Sequence, residues 1–207
     1  MQVDLGGHLE TSKAIKVVVG QCSYKGPDVH CFSQHQQFFS YLGRLQERSW
    51  WQNNAPLVND VPPLEGFRPG DPYFKFYAAT EVGNSLIGQA RDAVVQLAID
   101  VEADYLLFFD DDMLFNNDIF LRLWRHQKKI IGALAFTARP PIAPVIWKFE
   151  HTWNFAKQCR DVDSKVMLDY PKDQLVEVDC IGTGVVLISM DVLRTIPRPR
   201  FHGSIGS

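Results

Sequence analysis

Tyr105-Leu106-Leu107-Phe108-Phe109-Asp110-Asp111-Asp112-Met113 joins an unbroken apolar run to three consecutive carboxylates. A short, continuous apolar run rich in aromatics reads as a strand buried on both faces, as in a parallel sheet. In an open α/β sheet the ligand lies outside the carboxyl ends of the strands, which is where these carboxylates fall. Two readings of the triplet are open. One is a solvated turn with its charges in water. The other is a metal site: adjacent carboxylates backed by an apolar strand repel one another, and a hard divalent cation such as Mg²⁺ or Mn²⁺ would relieve that strain. Three acidic residues are costly as turn decoration, so we take the second. On extended backbone alternate residues point the same way, so Asp110 and Asp112 are expected to share the ion while Asp111 faces elsewhere.

Either side of this stretch the chain alternates strand and helix signals. Ile15-Lys16-Val17-Val18-Val19-Gly20 is a β-branched first strand, and a loop from Gln21 to Val29 with Gly26-Pro27 could line a site. Ser33 is placed to cap a helix reaching about Gln46, with Phe38, Phe39, Leu42 and Leu45 inward. His30, Cys31 and His35 do not meet zinc-ligand spacing and read as the start of that helix. Residues 49–72 hold Trp50-Trp51 and five prolines and read as a long functional or wrapping loop. Tyr73 to Ala78 reads as a strand. Gly83-Asn84-Ser85 opens a helix to about Ala103, in which Leu86, Ile87, Ala90, Val94, Leu97, Ala98 and Val101 mark an amphipathic stripe and which carries Arg91 and Asp92. Arg91 is open to two roles, a surface ion pair or a cation held near a phosphate.

Beyond the triplet, Asn117 or Asp118 is expected to cap a helix whose basic end runs from Arg125 to Lys129. Ile130 to Phe136 reads as a second fully buried strand, and Val145 to Phe149 as the start of a hairpin. Glu177 and Asp179 are expected to share one strand face. Gly182-Thr183-Gly184 then signals a close backbone approach, to a ligand or to a neighbouring element.

Composition narrows the classes. A net charge of −3 gives no polyanion-binding signature, so a general nucleic-acid-binding patch is not expected. No apolar run approaches the length of a membrane span. Residues 1–13 form a polar tail without a signal-peptide core, and Cys22, Cys31, Cys159 and Cys180 form no CxxC pair. The expectation is one domain over residues 1–207, cytoplasmic, with reduced thiols.

Four stretches together resemble a GT-A-fold glycosyltransferase of the large family 2 type found in bacteria and phages. Val17 to Ser23 resembles the family's nucleotide-facing opening. Asn84 through Ala90-Arg91-Asp92 resembles the helix with an Ala-Arg-Asn signature, with Asp92 in place of the usual Asn. Leu107 to Asp112 resembles the DXD motif, and Val178 to Ile188 the strand leading to the acceptor side. The resemblance implies a Rossmann-like, mostly parallel sheet flanked by helices. It implies transfer of a sugar from a nucleotide-diphosphate donor to a hydroxyl of a glycan, lipid, protein or nucleobase. It assigns Gln21, Ser23, Arg91, Asp110, Asp111, Gly182, Thr183 and Gly184 to the donor, and Asp110 and Asp112 to Mn²⁺ or Mg²⁺. Asp179 is the carboxylate available as general base.

Such families place a Glu-Asp pair soon after a segment like Arg200-Phe201-His202-Gly203, and this chain ends first. The expectation is therefore a C-terminally incomplete acceptor portion, with donor binding retained and transfer weak. Two other classes compete. A haloacid-dehalogenase-type phosphatase also ends an apolar strand in Asp-x-Asp, but Leu114 stands where that motif expects Thr or Val. A non-catalytic nucleotide-sugar-binding module would keep the fold without the chemistry.

Overall fold

The computed structural model describes residues 13–23, 29–54, 63–82, 87–137, 140–154 and 158–201. A five-stranded sheet is built from β1 (Ile15–Ser23), β2 (Phe74–Val82), β3 (Tyr105–Asp110), β4 (Ile130–Gly132) and β8 (Val185–Ser189), in the order β2-β1-β3-β8-β4. β1 runs parallel to β2 and β3, while β8 runs antiparallel to β3 and β4. The sheet is mostly parallel and flanked by helices on both faces, as the strand–helix alternation predicts.

The helix placement follows from handedness. From β1 to β2 the chain steps one way across the sheet, and from β2 to β3 it steps the other. Right-handed crossovers then put α1 (Val29–Asn54) and α2 (Ile87–Asp100) on opposite faces. The core divides accordingly. Leu107 and Phe109 of β3, with Val17 and Val19 of β1, pack against Phe38, Tyr41, Leu42 and Leu45 of α1 and against α3 (Ile119–Trp124). Leu106 and Phe108, with Val18, pack against Ala90, Val94, Val95 and Ala98 of α2 and against α4 (Met190–Thr195). The four residues Leu106 to Phe109 are at most 2% exposed. At roughly 1.5–3 kcal/mol per buried side chain, they contribute a large share of the core's stability.

A second sheet, ordered β6-β5-β7, is an antiparallel hairpin of β5 (Ile146–Asn154) and β6 (Cys159–Val166) with the two-residue β7 (Cys180–Ile181) on its other side. The hairpin expected from Val145 onward is present.

Several local expectations are corrected. α1 begins at Val29 and ends at Asn54, so Ser33 lies inside it and Trp50-Trp51 belong to the helix. Its length is accounted for by what it reaches: Ser49 Oγ and Gln46 Oε1 accept the Phe74 and Phe76 N–H groups (3.0 and 2.8 Å), capping the start of the outer edge of β2. Ile130 to Phe136 is not a buried strand. β4 is a three-residue edge with only Ile131 of the strand buried, and Leu134 and Phe136 are exposed. In α2, Ile87 and Leu97 face outward, and Val95 takes part in the inner face instead. Asp118 precedes α3 but makes no side-chain cap; its carboxylate is buried and pairs with Arg122 at 2.8 Å. Arg125 does not sit on the helix dipole alone. It donates to Asp71 (2.8 Å) and to the Gly66 carbonyl, tying down the turns at residues 65–71.

α2 lies very close to β1 because Gly20 has no side chain: a Cβ there would stand 2.6 Å from Val94 Cγ1. Valine is stiff at χ1 and cannot swing clear. Gly20→Ala should therefore cost about 1–3 kcal/mol in urea unfolding. Combining it with Val94→Ala, which opens that space, should cost less than the sum of the two single changes. Simple additivity would mean that α2 is not seated on Gly20.

Candidate functional site

The parity of β3 decides how the carboxylates point. Leu106 and Phe108 face α2, so Asp110, two residues on, faces α2 as well. There its Oδ1 accepts a hydrogen bond from Arg91 Nη2 at 2.8 Å, and the same nitrogen donates to Thr183 Oγ1 at 2.6 Å. The Asp110 N–H also donates to the Gly184 carbonyl at 3.0 Å. Three elements expected to contribute to one site thus meet at Arg91: the middle of α2, the end of β3 and the loop entering β8. The Arg91 side chain is 14% exposed and that of Asp110 is 30% exposed, so the pair is partly shielded from water. Arg91 is not a surface ion pair.

Burial raises the Asp110 carboxyl above its ordinary value of 3.8; Arg91 opposes this by charge and hydrogen bond, and Asp112 and Asp111 add to the rise. The Arg91 guanidinium offsets only part of the cost of keeping that carboxylate charged. Such a donor set suits a further positive charge, and hard carboxylate oxygens suit Mg²⁺ or Mn²⁺. The expected alternation, however, stops short. β3 ends at Asp110, and Asp111 and Asp112 form a turn closed by the Met113 N–H on the Asp110 carbonyl (3.3 Å). The extended-backbone rule that paired Asp110 with Asp112 does not operate across that turn. Among the described residues, no three His, Cys, Asp or Glu side chains form a ready-made metal cage. A cation here would rest on Asp110 and Asp112, with water and ligand oxygens completing its shell, the usual arrangement for Mg²⁺.

Gln21 reaches the site indirectly. Its side chain is buried and its Nε2 lies 3.1 Å from His35 Nδ1, while His35 Nε2 lies 2.9 Å from the Met113 carbonyl. A carbonyl only accepts, so His35 carries its proton on Nε2, and Nδ1 accepts from Gln21. The ring packs on Phe109 and Phe115. One position earlier in α1, Gln34 Nε2 donates to the Phe115 carbonyl at 2.6 Å. α1 therefore holds the backbone immediately after the carboxylates at two points. Sequence spacing excludes zinc at His35 but does not reveal this role, because the partner is a main-chain carbonyl 78 residues away.

The remaining expected residues fall as follows. Ser23 is the last residue of β1, and its side chain lies outside the described residues, as do the chain at residues 24–28 and Asn84. Cys22 pairs in register with Asp110, which puts the carboxyl ends of β1 and β3 side by side. Gly182 donates its N–H to the Val145 carbonyl (2.8 Å), and a Cβ on it would stand 2.6 Å from Val145 Cγ1. A Cβ on Gly184 would stand 3.1 Å from the Met113 side chain. The two glycines serve a close approach to neighbouring elements. Glu177 and Asp179 precede β7 and are not in a strand. Asp179 accepts the Phe149 N–H at 2.9 Å and lies 3.6 Å from Lys148 Nζ, so its carboxylate is held on β5. Asp92 accepts the Arg200 N–H on both oxygens (3.0 and 3.2 Å), anchoring the segment after α4 onto α2.

Removing Arg91 isolates the electrostatics. Arg91→Met leaves a half-buried carboxylate without its cation and should cost about 1–3 kcal/mol at pH 7 in urea unfolding. The cost should shrink on acidification. A carboxyl raised in the folded state contributes stability that is present below its unfolded value of 3.8 and is lost as the pH rises through the folded value. Losing Arg91 raises that folded value further, so protonation removes the penalty. A pH-independent cost would assign Arg91 to packing alone.

No protein-family model matches the chain, and no curated protein matches it. Among solved structures the chain is similar to the one described as the crystal structure of A197 from STIV. That likeness is 12% identity, covering 92% of this chain and 73% of that one, at a TM-score of 0.45. A likeness of that degree carries no statement about function.

Proposed function

We propose that this chain is a GT-A-type glycosyltransferase that binds a nucleotide-diphosphate-sugar at the carboxyl ends of β1 and β3, in a reducing, cytoplasmic setting. The observation that carries the reading is the junction of Arg91, Asp110 and Thr183 beside a run of three carboxylates. A departing nucleoside diphosphate gathers negative charge, and a guanidinium held in advance by Asp110 and Thr183 stabilises that charge without reorganising. The planar fork of Arg91 matches phosphate oxygens better than a lysine would. Asp110 and Asp112 would hold the divalent cation, whose bound charge supplies Lewis-acid stabilisation of the same oxygens. The donor's ribose would fall to Asp111 or Asp110. His35 and Gln34 fix the turn that carries these carboxylates, so their positions are set before a ligand arrives.

The acceptor side supports a second reading, a nucleotide-sugar-binding module without transfer. Asp179 is the carboxylate expected to take the acceptor proton, and it is held by the Phe149 N–H and Lys148. Released nucleoside diphosphate in the presence of acceptor distinguishes the two readings. Released inorganic phosphate would instead mark a phosphatase.

Donor binding is tested by thermal shift with a panel of nucleoside diphosphates. A ligand at a hundred times its Kd stabilises by about 2.7 kcal/mol, several degrees in a chain of this size. The shift should require Mn²⁺ or Mg²⁺ and collapse in EDTA. Asp112→Asn should abolish the metal-dependent part while leaving the unliganded melting temperature within about one degree, since exposed positions contribute little to stability. Equal shifts with and without metal would remove the cation from the reading. An Asp112→Asn protein that binds like the parent, beside an Asp111→Asn protein that does not, would exchange the two roles.

A further inference from the structure

The edge strands of the two sheets differ in what meets their outward groups. At the start of β2 the outward N–H groups of Phe74 and Phe76 are taken up by Ser49 and Gln46 of α1, whereas among the described residues β6 pairs only with β5. A long exposed edge strand is a template for pairing with another chain. Which of its backbone groups face outward can be worked out from the ladder. The Met167 N–H bonds to the Ile146 carbonyl. Pairs two apart alternate identically in an antiparallel ladder, so the register makes Lys165–Lys148 and Asp163–Glu150 hydrogen-bonded pairs. The N–H and C=O groups of Val162, Ser164 and Val166 therefore point away from β5, into the open edge.

We propose that β6 pairs antiparallel with β6 of a second copy of this chain, about a two-fold axis at Ser164, joining the two small sheets into one. In that register Ser164 faces its own counterpart, and Val162 faces Val166 on each side of the axis. The outward groups of these residues exchange about six hydrogen bonds. On the opposite face Asp163 meets the partner's Lys165, twice by symmetry. Moving the axis by one residue in either direction sets Asp163 against Asp163 or Lys165 against Lys165. Like charges directly opposite are destabilising, so the charges select the Ser164 register from its neighbours.

The two faces of the hairpin agree with this choice. Val162 and Val166 are 56% and 41% exposed, and Phe149, opposite Ser164 on β5, is 39% exposed. Pairing sets these side chains next to those of the second copy, as one continuous apolar strip across the joined sheet. The other face carries Glu150, Lys148, Asp163 and Lys165, with Lys165 Nζ 2.6 Å from Glu150 Oε2. Pairing gives that lysine a second carboxylate. The residues involved are separate from Arg91 and the three carboxylates, so the inference stands apart from the proposed activity.

Sedimentation velocity on the full chain, over a range of concentrations, reads the outcome. The parent should show a reversible monomer–dimer equilibrium. Lys165→Asp and Asp163→Lys each place like charges opposite one another at both symmetric contacts and should weaken the dimer about tenfold or more. An equimolar mixture of the two variants restores opposite charges at both contacts and should recover the dimer as a heterodimer. Unfolded variants could not show that recovery, which separates loss of pairing from loss of fold. Ser164→Pro removes an outward N–H without touching the bonds to β5 and should also weaken the dimer. A parent that stays monomeric at high concentration would overturn the proposal. So would a dimer indifferent to both charge reversals, or single variants that dissociate without recovering on mixing.

Discussion

β3 cannot lie at a surface or an edge, and the rest of the molecule is arranged around that constraint. Its four residues Leu106 to Phe109 point alternately to the two faces of the sheet, so each face needs a helix layer. α1 and α3 supply one layer, and α2 and α4 the other. Neighbours must also take up its backbone groups on both sides, and β1 and β8 do so. Burial of these side chains, on the order of 6–12 kcal/mol before conformational entropy, far exceeds what one ion pair at the strand end contributes. The fold is therefore secured by the strand, and the polar residues at its end are free to be chosen for chemistry.

That division of labour accounts for the position of Asp110. The parity that buries Leu106 and Phe108 against α2 aims Asp110 at the same helix. A carboxylate delivered there at the border of the core needs a cation, and Arg91 meets it. The compensation is incomplete because burial itself disfavours the charged form, to which the charges of Asp112 and Asp111 add. A site in this condition favours any ligand that brings positive charge or well-placed donors. His35 adds a constraint from the other face of the sheet: its bond to the Met113 carbonyl fixes the turn after the carboxylates to α1. The turn is thus attached to both helix layers, which limits how far it can relax.

The two sheets treat their edges differently, and the difference follows from what is available to cover them. α1 is long enough to run past β2 and offer Gln46 and Ser49 to its outer N–H groups. Among the described residues no element pairs with the outer groups of β6. Its charged residues are distributed so that one pairing register is favoured over its neighbours, which is how an edge strand can be both soluble and selective.

By itself the sequence determined the alternation of strands and helices and the buried character of β3. These are encoded in continuous apolar runs, in period-3.6 stripes and in local motifs, all of which act over a few residues. Arg91, Asp110 and Thr183 are grouped only by the family resemblance, and the tertiary structure brings them into contact. The sequence did not determine that Ile130 to Phe136 holds only a three-residue edge strand, because an apolar run looks alike whether one face or two are covered. It did not determine the direction of Asp112, because strand parity holds only while the backbone stays extended, and a turn begins at Asp111. The contacts of His35 with Met113, of Asp179 with Phe149 and of Asp92 with Arg200 join residues 78, 30 and 108 positions apart. Two of these partners offer a backbone N–H and one a backbone carbonyl, groups that every residue carries. Only the tertiary structure could select them, because a main-chain partner leaves no mark in the identity of the residue that supplies it.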